Sequence, residues 1–339
     1  MKITLSVIFA AVLALSACSR KTPHEDVFTV ETINRITPVK NQGHSSLCWV
    51  YAMLATIESD RIMMGDSVNL SPAYVARHVI AERAEHRYLA QGGGPVTADG
   101  VAPMLLDALE RYGVMPYDSY RSECNYDVLC RRLTAITDQA VNLRTGLERL
   151  RGALDYALDT AVNPMPHRMW MYGAEYTPQE FARSLCQPDE YLPMTSYTHM
   201  PFYEDIVLDV PANRTGCRFY NVPVDTLVSR VENGLRSGLS VCWEGDTTNP
   251  GFSFKDGTAR LAGGQKGVTQ DMRQRALERF SVTDDHCMEI IGLARDAGGN
   301  RYFICKNSWG TDNPYGGLMY MSLGYFRLNT VAVVMKCRR

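Results

Sequence analysis

The chain has 339 residues, of which 45% are hydrophobic and 21% are charged. This length and composition suit a folded protein with a substantial core and exclude a largely disordered chain. The formal net charge of -2 excludes the strongly basic surface typical of nucleic-acid-binding proteins, so no nucleic-acid partner is expected.

The first eighteen residues have the pattern of an export signal. Lys2 precedes a mostly apolar run from Ile3 to Leu15, and L-S-A-C follows, ending at Cys18. The run is shorter than the roughly 20 apolar residues of a membrane span, so residues 1–17 are predicted to be a signal peptide. The L-S-A-C ending resembles the lipobox of bacterial lipoproteins. That resemblance implies lipidation of Cys18 and an exported protein anchored to a bacterial membrane, on its periplasmic face or at the cell surface. An ordinary signal peptide with an incidental cysteine is the alternative.

The remaining chain divides into a short tether and one two-lobed domain. Residues 18–34 are polar and mixed and are predicted to be the tether, which leaves residues 35–339 for the folded domain. Helical patterns prevail over about residues 40–196, and strand patterns prevail over about residues 197–339. This order predicts an α+β fold with a helical lobe, a β-rich lobe and a cleft between them.

Helix signals follow one another in the first lobe. Residues 48–64 contain no Gly or Pro and are strongly apolar, which predicts a buried helix. S-P-A-Y predicts an N-cap at Ser71 and a helix that extends to about residue 90. A further helix fits residues 103–112, with Gly113 as its C-terminal stop. Residues 131–160 also have the leucine, alanine and arginine spacing of a helix.

Short apolar runs between Pro and Gly turns predict strands in the second lobe. The runs are D-I-V-L-D-V, L-S-V-C-W, C-M-E-I-I-G-L, R-Y-F-I-C-K and T-V-A-V-V-M, and V-D-T-L-V-S-R-V-E-N-G-L predicts a helix among them. D-A-G-G-N joins the third and fourth runs and predicts a hairpin. Residue numbers that pair across this hairpin sum to about 593–596, so His286 and Asn307 are expected to be neighbours.

The stretch N-Q-G-H-S-S-L-C-W places Cys48 at the start of a predicted helix. The helix dipole and the free N–H groups at that end favour the thiolate, and a neighbouring imidazolium lowers a thiol pKa further. A buried structural cysteine is the common alternative. It would not explain the second motif, D-D-H-C-M followed by K-N-S-W-G. In that motif His286 can act as the base, Asn307 can orient its ring, and Trp309 can shield the bond between them.

Taken together, these motifs resemble the papain superfamily of cysteine peptidases, and most closely its bleomycin hydrolase and aminopeptidase C branch. D-A-L-E-R-Y-G-V-M-P, S-Y-T-H-M-P-F-Y-E-D-I-V-L-D-V-P-A-N and F-Y-N-V-P-V-D-T-L resemble segments of that branch. The resemblance implies a papain-like fold with a helical left lobe and an antiparallel, β-barrel-like right lobe. It also implies hydrolysis of peptides or proteins through a Cys48–His286–Asn307 triad and an acyl-enzyme.

The same resemblance implies further site residues. Gln42 and the Cys48 N–H would form the oxyanion hole. Three residues beside the triad would support the active site: Trp49, Asp285 and Trp309. A loop before the helix at residues 103–112 would bind the substrate backbone as a short strand. The candidates for that loop are Asp99 and Gly100, with Gly94 as the alternative.

The resemblance leaves the mode of cleavage open. Aminopeptidases of this branch place a carboxyl-terminal tail in the cleft, so that only a free amino terminus fits. Here only residues 336–339 follow the last predicted strand, which favours an endopeptidase over an aminopeptidase. Alternatives from other classes are a catalytically silent lipoprotein that binds ligands in its cleft and a transglutaminase-like acyltransferase. The sequence does not indicate an oligomeric state.

Cysteines other than the two discussed above bear on disulfides and metals. Ten cysteines less Cys18 and Cys48 leave eight. In an oxidising compartment eight cysteines allow 105 pairings, and the sequence does not select one. No pair has the C-x-x-C spacing of a zinc site, so neither a metal nor a cofactor is expected.

Overall fold

The computed structural model describes residues 27–171, 173–261 and 267–337. Its helices are α1 Cys48–Met63, α2 Pro72–Leu89, α3 Pro103–Tyr112, α4 Tyr126–Leu143, α5 Leu147–Ala161, α6 Pro178–Leu185, α7 Val224–Arg236, α8 Gln270–Glu278 and α9 Leu323–Asn329. Its strands are β1 Phe28–Ile33, β2 Met169–Met171, β3 Ala174–Tyr176, β4 Tyr191–Thr195, β5 Asp205–Val207, β6 Arg218–Asn221, β7 Val241–Gly245, β8 Phe252–Ser253, β9 Thr258–Ala259, β10 His286–Asp296, β11 Arg301–Lys306, β12 Leu318–Ser322 and β13 Thr330–Lys336. The signal peptide and the lipidation of Cys18 lie outside these residues and stay predictions.

Helices fill the first lobe as expected, with one correction. The Ser71 side chain accepts a hydrogen bond from the Tyr74 N–H and caps α2, as its sequence predicts. The helix predicted over residues 131–160 is instead two helices, α4 and α5. The break falls at Arg144 and Gly146, whose φ angles of 50° and 87° cannot continue a right-handed helix. No helix in the described ranges combines the length and the hydropathy that a membrane crossing requires.

An eleven-stranded sheet forms the second lobe within the described residues. The hydrogen-bonded order of ten of its strands is β5-β6-β4-β13-β7-β10-β11-β12-β9-β8. The eleventh strand, β1, lies outside this order and pairs with β10. Most neighbours are antiparallel, but β4 with β6 and β9 with β12 are parallel. The expected barrel-like closure is wrong, because the short strands β5 and β8 end the path without pairing to each other. The predicted α+β class is confirmed.

The predicted tether and lobe boundary also need correction. Residues 28–33 of the supposed tether are strand β1, which pairs with β10 from Phe28↔Asp296 to Ile33↔Gly292. Strand β4 lies inside the range assigned to the helical lobe, yet it pairs with β13 in the sheet. The signal for β1 was present in the sequence, since F-T-V-E-T-I is rich in β-branched and aromatic residues.

A buried polar network joins the two lobes below the cleft. On α1, the Glu58 carboxylate accepts hydrogen bonds from Lys40 Nζ at 2.7 Å and from the Leu70 N–H at 2.6 Å. Thr37 donates its hydroxyl to the same carboxylate and accepts one from Lys306 Nζ at 2.8 Å. The network therefore ties both the segment before Gln42 and the end of β11 to helix α1.

Asp60 is expected to make the stability of this lobe contact depend on pH. Its carboxyl lies at the buried side of α1, accepts the Ser240 N–H at 2.8 Å and the Tyr191 hydroxyl at 3.0 Å, and burial raises its pKa to about 7. An unfolded aspartate has a pKa near 3.9, so the folded state holds its proton more tightly. This contribution is fully present below about pH 4 and is lost as the pH rises towards 7.

Urea unfolding of Asp60→Asn and the wild type at several pH values tests this expectation. Between about pH 4 and 7 the wild type should lose roughly 2–4 kcal/mol of unfolding free energy relative to the variant, which cannot ionise there. Parallel pH profiles for the two proteins would contradict a shifted carboxyl at this position. Asp66→Asn, three residues beyond the end of the same helix, should retain the wild-type slope.

Candidate active site

The nucleophile candidate opens helix α1 at the lobe boundary. Leu47 and Trp49 are fully buried and hold the helix start in the core, whereas Cys48 is only partly covered. The Leu47 carbonyl accepts the Val50 N–H at 2.9 Å and the Tyr51 N–H at 3.1 Å. The N–H of the first helical residue has no acceptor within the helix, so the Cys48 N–H is available to donate to a bound group. The helix dipole adds positive potential there.

His286 and Asn307 meet through a short hydrogen bond. His286 Nε2 lies 2.8 Å from Asn307 Oδ1, and both side chains are buried. Because the asparagine oxygen is an acceptor, Nε2 carries the proton and Nδ1 is left to face Cys48. The hairpin ladder itself stops at Glu289↔Lys306, and His286 pairs with Gly245 of β7 instead. The contact with Asn307 is therefore made by side chains beyond the end of the ladder.

Cys48 touches two consecutive residues of β10. A hydrogen bond from the Cys287 thiol is the largest cause that lowers the Cys48 pKa well below its ordinary value, and contact with His286 lowers it further against the opposing effect of burial. Among the other described cysteines, every resolved pKa shift is upward and comes mainly from burial or, at Cys287, from the bond to Cys48. Cys48 is thus the thiol with the strongest thiolate character in the described chain.

The backbone and the side chain of Gln42 are both held by hydrogen bonds, mainly to Ser308 after β11. Its N–H donates to the Ser308 carbonyl at 2.8 Å, and its Oε1 accepts the Ser308 hydroxyl at 2.6 Å. Its Nε2 donates to the Ser45 carbonyl at 2.7 Å. A primary amide has two N–H bonds, so one of them is left to donate into the site. The bridge between Asn41 and Trp309 extends this pairing by one residue.

An aromatic group covers the His286–Asn307 bond. The Trp309 ring centroid is 4.4 Å from that of His286, and the rings of Phe252 and Phe254 meet the indole edge-on at 5.8 and 5.4 Å. This cover limits water access to the hydrogen bond, which strengthens it. Trp309 thus occupies the supporting position that its sequence motif suggested.

Asp285 and Trp49 contact the site only indirectly. Asp285 Oδ1 accepts the Thr247 N–H at 2.8 Å and the Thr247 hydroxyl at 3.0 Å, which holds the entry into β10 against the turn after β7. Burial raises the pKa of Asp285. Trp49 donates its indole N–H to the Ala98 carbonyl at 2.9 Å and so fixes the loop that precedes α3. Both residues position site segments rather than touching the reacting groups.

The structure separates the three candidate substrate-loop residues. Gly100 packs against Trp49, where a Cβ atom would lie 2.9 Å from the indole. The Asp99 carboxylate is engaged by Arg214 at 3.1 Å and Arg83 at 3.7 Å. The Gly94 carbonyl accepts a hydrogen bond from Arg87, and its Cβ position is open. Gly100 therefore lies beside helix α1, whereas the contact of Gly94 is with Arg87 of α2.

Gly100→Ala should damage the site, and Gly94→Ala should not. The added methyl at Gly100 meets the buried Trp49 ring, which follows Cys48 directly, so overpacking should cost about 1–3 kcal/mol of stability. A shifted indole should also lower turnover. Thermal melts and peptidase assays of both variants test this pair. Equal behaviour of the two variants would contradict the assignment of Gly100 to the site.

Three site residues were missed by the sequence analysis. Ser308 lies within the quoted K-N-S-W-G motif but was given no role, although it links Asn307 to Gln42. Cys287 was counted only as a possible disulfide cysteine. Glu244 on β7 pairs with Cys287 in the ladder, approaches the Ala102 N–H at 3.5 Å, and has a pKa raised well above normal by burial. Strand alternation from His286 could have indicated that Cys287 faces the helical lobe.

A cavity of about 410 Å³ adjoins the strand that carries His286. Its lining includes Val210, Leu277 and Val331 as apolar walls and Asp284 and Glu278 as acidic groups. Asp284 precedes His286 by two positions in the chain, but no residue of the candidate triad lines this cavity. Within the described ranges, no group of three or more His, Cys, Asp or Glu side chains could hold a metal ion.

Comparison with known proteins relates the chain to a cysteine proteinase. Cysteine proteinase 1, mitochondrial, of Saccharomyces cerevisiae strain JAY291 is 24% identical over 372 residues, which cover 88% of this chain and 74% of the yeast protein. The same protein of strain ATCC 204508 / S288c is 24% identical over 369 residues with the same coverage. No protein-family model matches the sequence.

A solved structure matches over nearly the whole chain. The crystal structure of PepW from Lactobacillus rhamnosis HN001 superposes with a TM-score of 0.74 and 16% sequence identity, covering 91% of this chain and 82% of PepW. At this identity the match to PepW supports only the fold, and the similarity to the yeast proteinase supports the class of enzyme. On these two findings the chain has a papain-like fold, and its similarity to the yeast proteinase supports a cysteine peptidase.

Proposed function

We propose that the chain hydrolyses internal peptide bonds, with Cys48 as nucleophile, His286 as acid and base, and Asn307 as the residue that orients His286. The observation that carries this proposal is the contact of Cys48 with His286, whose Nε2 is held by Asn307 at 2.8 Å. A nucleophile, a base and an orienting group in one line are the minimum for covalent acyl transfer.

The geometry supports a two-step reaction. The Cys48 thiolate attacks the peptide carbonyl carbon, and the resulting oxyanion accepts hydrogen bonds from the Cys48 N–H and the free N–H of Gln42 Nε2. The His286 imidazolium then gives its Nδ1 proton to the leaving amine, and the carbon–nitrogen bond breaks. In the second step, His286 takes a proton from water, which attacks the thioester and releases the acid. Asn307 accepts the Nε2 proton throughout and keeps the ring in place.

Strand β13 leads the described chain away from the candidate triad. Thr330 at its start and His286 at the start of β10 are both opposite Gly245 of β7. From there β13 runs six residues away, roughly 20 Å at strand spacing, to Lys336. Cys337 then donates its N–H to Glu190 at 2.8 Å. The described carboxyl-terminal residues up to Cys337 thus lie away from the candidate triad.

Hydrolysis of two matched fluorogenic peptides tests the proposal. One peptide has a blocked amino terminus and the other has a free one, and both are assayed under reducing conditions. We expect cleavage of the blocked peptide. Cleavage of only the free peptide would point to aminopeptidase action, and labelled amine in the product would point to acyl transfer. If neither peptide is cleaved and iodoacetamide does not label Cys48, the peptidase proposal fails.

A further inference from the structure

A second thiol lies beside the proposed nucleophile. Cys287 follows His286 on β10, is buried, and lies within hydrogen-bonding reach of Cys48. Side chains alternate along a strand, so His286 faces Asn307 while Cys287 faces the helical lobe, where α1 packs on β10. Cys48, at the start of α1 and at the end of β10 where His286 begins the strand, interacts with both the His286 imidazole and the Cys287 thiol.

The two thiols have unequal character. Cys48 is partly exposed and its pKa is lowered, whereas Cys287 is buried and the bond to Cys48 raises its pKa. An accessible thiolate with a protonated thiol at its side is the arrangement of a cysteine that is oxidised first and a cysteine that then resolves it.

The neighbouring strand supplies a natural comparison. Cys242 on β7 is also buried, and its pKa is raised by burial. It pairs with Glu289, whereas the residue opposite Cys287 is Glu244. Cys242 therefore lies opposite a residue two positions further along β10 than Cys287. With Cys48 it has only a charge interaction and no hydrogen bond.

We propose that Cys287 is the resolving cysteine of Cys48, and that oxidation by a peroxide closes a reversible Cys48–Cys287 disulfide that blocks the active site. The disulfide chemistry is independent of the proposed peptidase mechanism, whereas its effect on turnover rests on that mechanism. The bond would join α1 to β10 and withdraw the sulfur from His286. It would also protect Cys48 from irreversible oxidation.

The chemistry balances with the peroxide as the only oxidant. The Cys48 thiolate attacks one peroxide oxygen, the O–O bond breaks, and a sulfenic acid forms as the peroxide is reduced to hydroxide. The Cys287 sulfur then attacks the Cys48 sulfur, the S–O bond breaks, and the hydroxyl leaves as water with the Cys287 proton. A dithiol reverses the reaction by two exchange steps and is itself oxidised to a cyclic disulfide.

Peptide mapping of the peroxide-treated protein tests the proposal directly. The wild type is treated with hydrogen peroxide in slight excess, its remaining thiols are alkylated, and the digest is analysed by mass spectrometry without reduction. We expect a peptide pair that joins Cys48 to Cys287 and that separates on reduction. Cys48 found only as sulfinic acid, or joined to Cys242, would overturn the proposal. This readout needs no peptidase activity, so it is separable from failure of the proposed function.

Activity recovery provides the second measurement. Wild type, Cys287→Ala and the matched control Cys242→Ala are oxidised, then incubated with dithiothreitol, and each is compared with its own untreated activity. Wild type and Cys242→Ala should recover at least about tenfold more activity than Cys287→Ala, whose Cys48 has no resolving partner. Equal recovery in all three proteins would overturn the proposal. Cys287→Ser replaces the alanine variant if the latter does not fold.

Discussion

Replacing Cys48 with alanine should abolish peptide hydrolysis while leaving the fold intact. The substitution removes the sulfur that would form the acyl-enzyme, and loss of such a nucleophile lowers turnover by roughly 10⁴-fold or more. Alanine is a good residue for the first turn of α1, and Cys48 is only partly buried, so the unfolding free energy should change by about 1 kcal/mol or less. Steady-state kinetics and thermal melts of the purified variant measure both effects.

Cys124→Ala is the matched control for this variant. Cys124 is also partly buried, but burial raises its pKa, so it lacks the thiolate character of Cys48. Its replacement should leave turnover at the wild-type level. Iodoacetamide at mildly acidic pH should label Cys48 well before Cys124 in the wild type. Activity retained in Cys48→Ala would contradict the proposed nucleophile.

Replacing Gln42 with alanine should have the second largest effect. The variant loses the amide N–H that is proposed to bind the oxyanion, which develops only as the carbonyl is attacked. Loss of one such donor lowers turnover by about 10²–10³-fold, with little change in KM. Rates on the blocked peptide over a range of concentrations separate the two parameters.

Two related variants distinguish the loss of the Gln42 N–H donor from the loss of the Ser308 hydroxyl that orients it. Gln42→Glu has nearly the same shape but offers no N–H, so it should lose at least as much turnover as Gln42→Ala. Ser308→Ala removes only the 2.6 Å hydrogen bond that orients the amide, which is worth about 1 kcal/mol, or roughly fivefold in rate. Full activity of Gln42→Glu would mean that the side chain acts through its shape rather than through its N–H.

Elements with strong local signals agree with the sequence analysis. Helix α1 begins at Cys48 as predicted, α3 spans Pro103–Tyr112 before Gly113, and the hairpin of β10 and β11 surrounds D-A-G-G-N. These elements depend on caps, breakers and periodicity, which act within a few residues. The elements that were wrong or missed depend on distant partners. Strand β1 pairs with the part of β10 beyond Ile290, where the pairing with β7 has ended, and no local pattern near residue 28 indicates that this edge of β10 is left unpaired by β7.

The residues of the candidate site also fall into two groups: those indicated by local motifs and those whose roles depend on distant contacts. The motifs predict roles for Cys48, His286, Asn307 and Gln42 because a nucleophile, a base and an orienting amide require particular residue types. The roles of Asp99 and Gly100 could not be separated by counting along the chain. Their contacts separate them, since Gly100 packs on Trp49 while Asp99 pairs with two arginines.

The sequence by itself determined the residue types of the candidate site, the start of α1 at Cys48 and the spacing that lets His286 reach Asn307. All three follow from chemistry and backbone geometry over short separations. Only the tertiary structure decided what lies around that core: Ser308 joining Asn307 to Gln42, Glu244 opposite Cys287, and the Cys287 thiol against Cys48. These contacts join segments far apart in the chain, because they arise where the face of one strand meets the end of a helix from the other lobe.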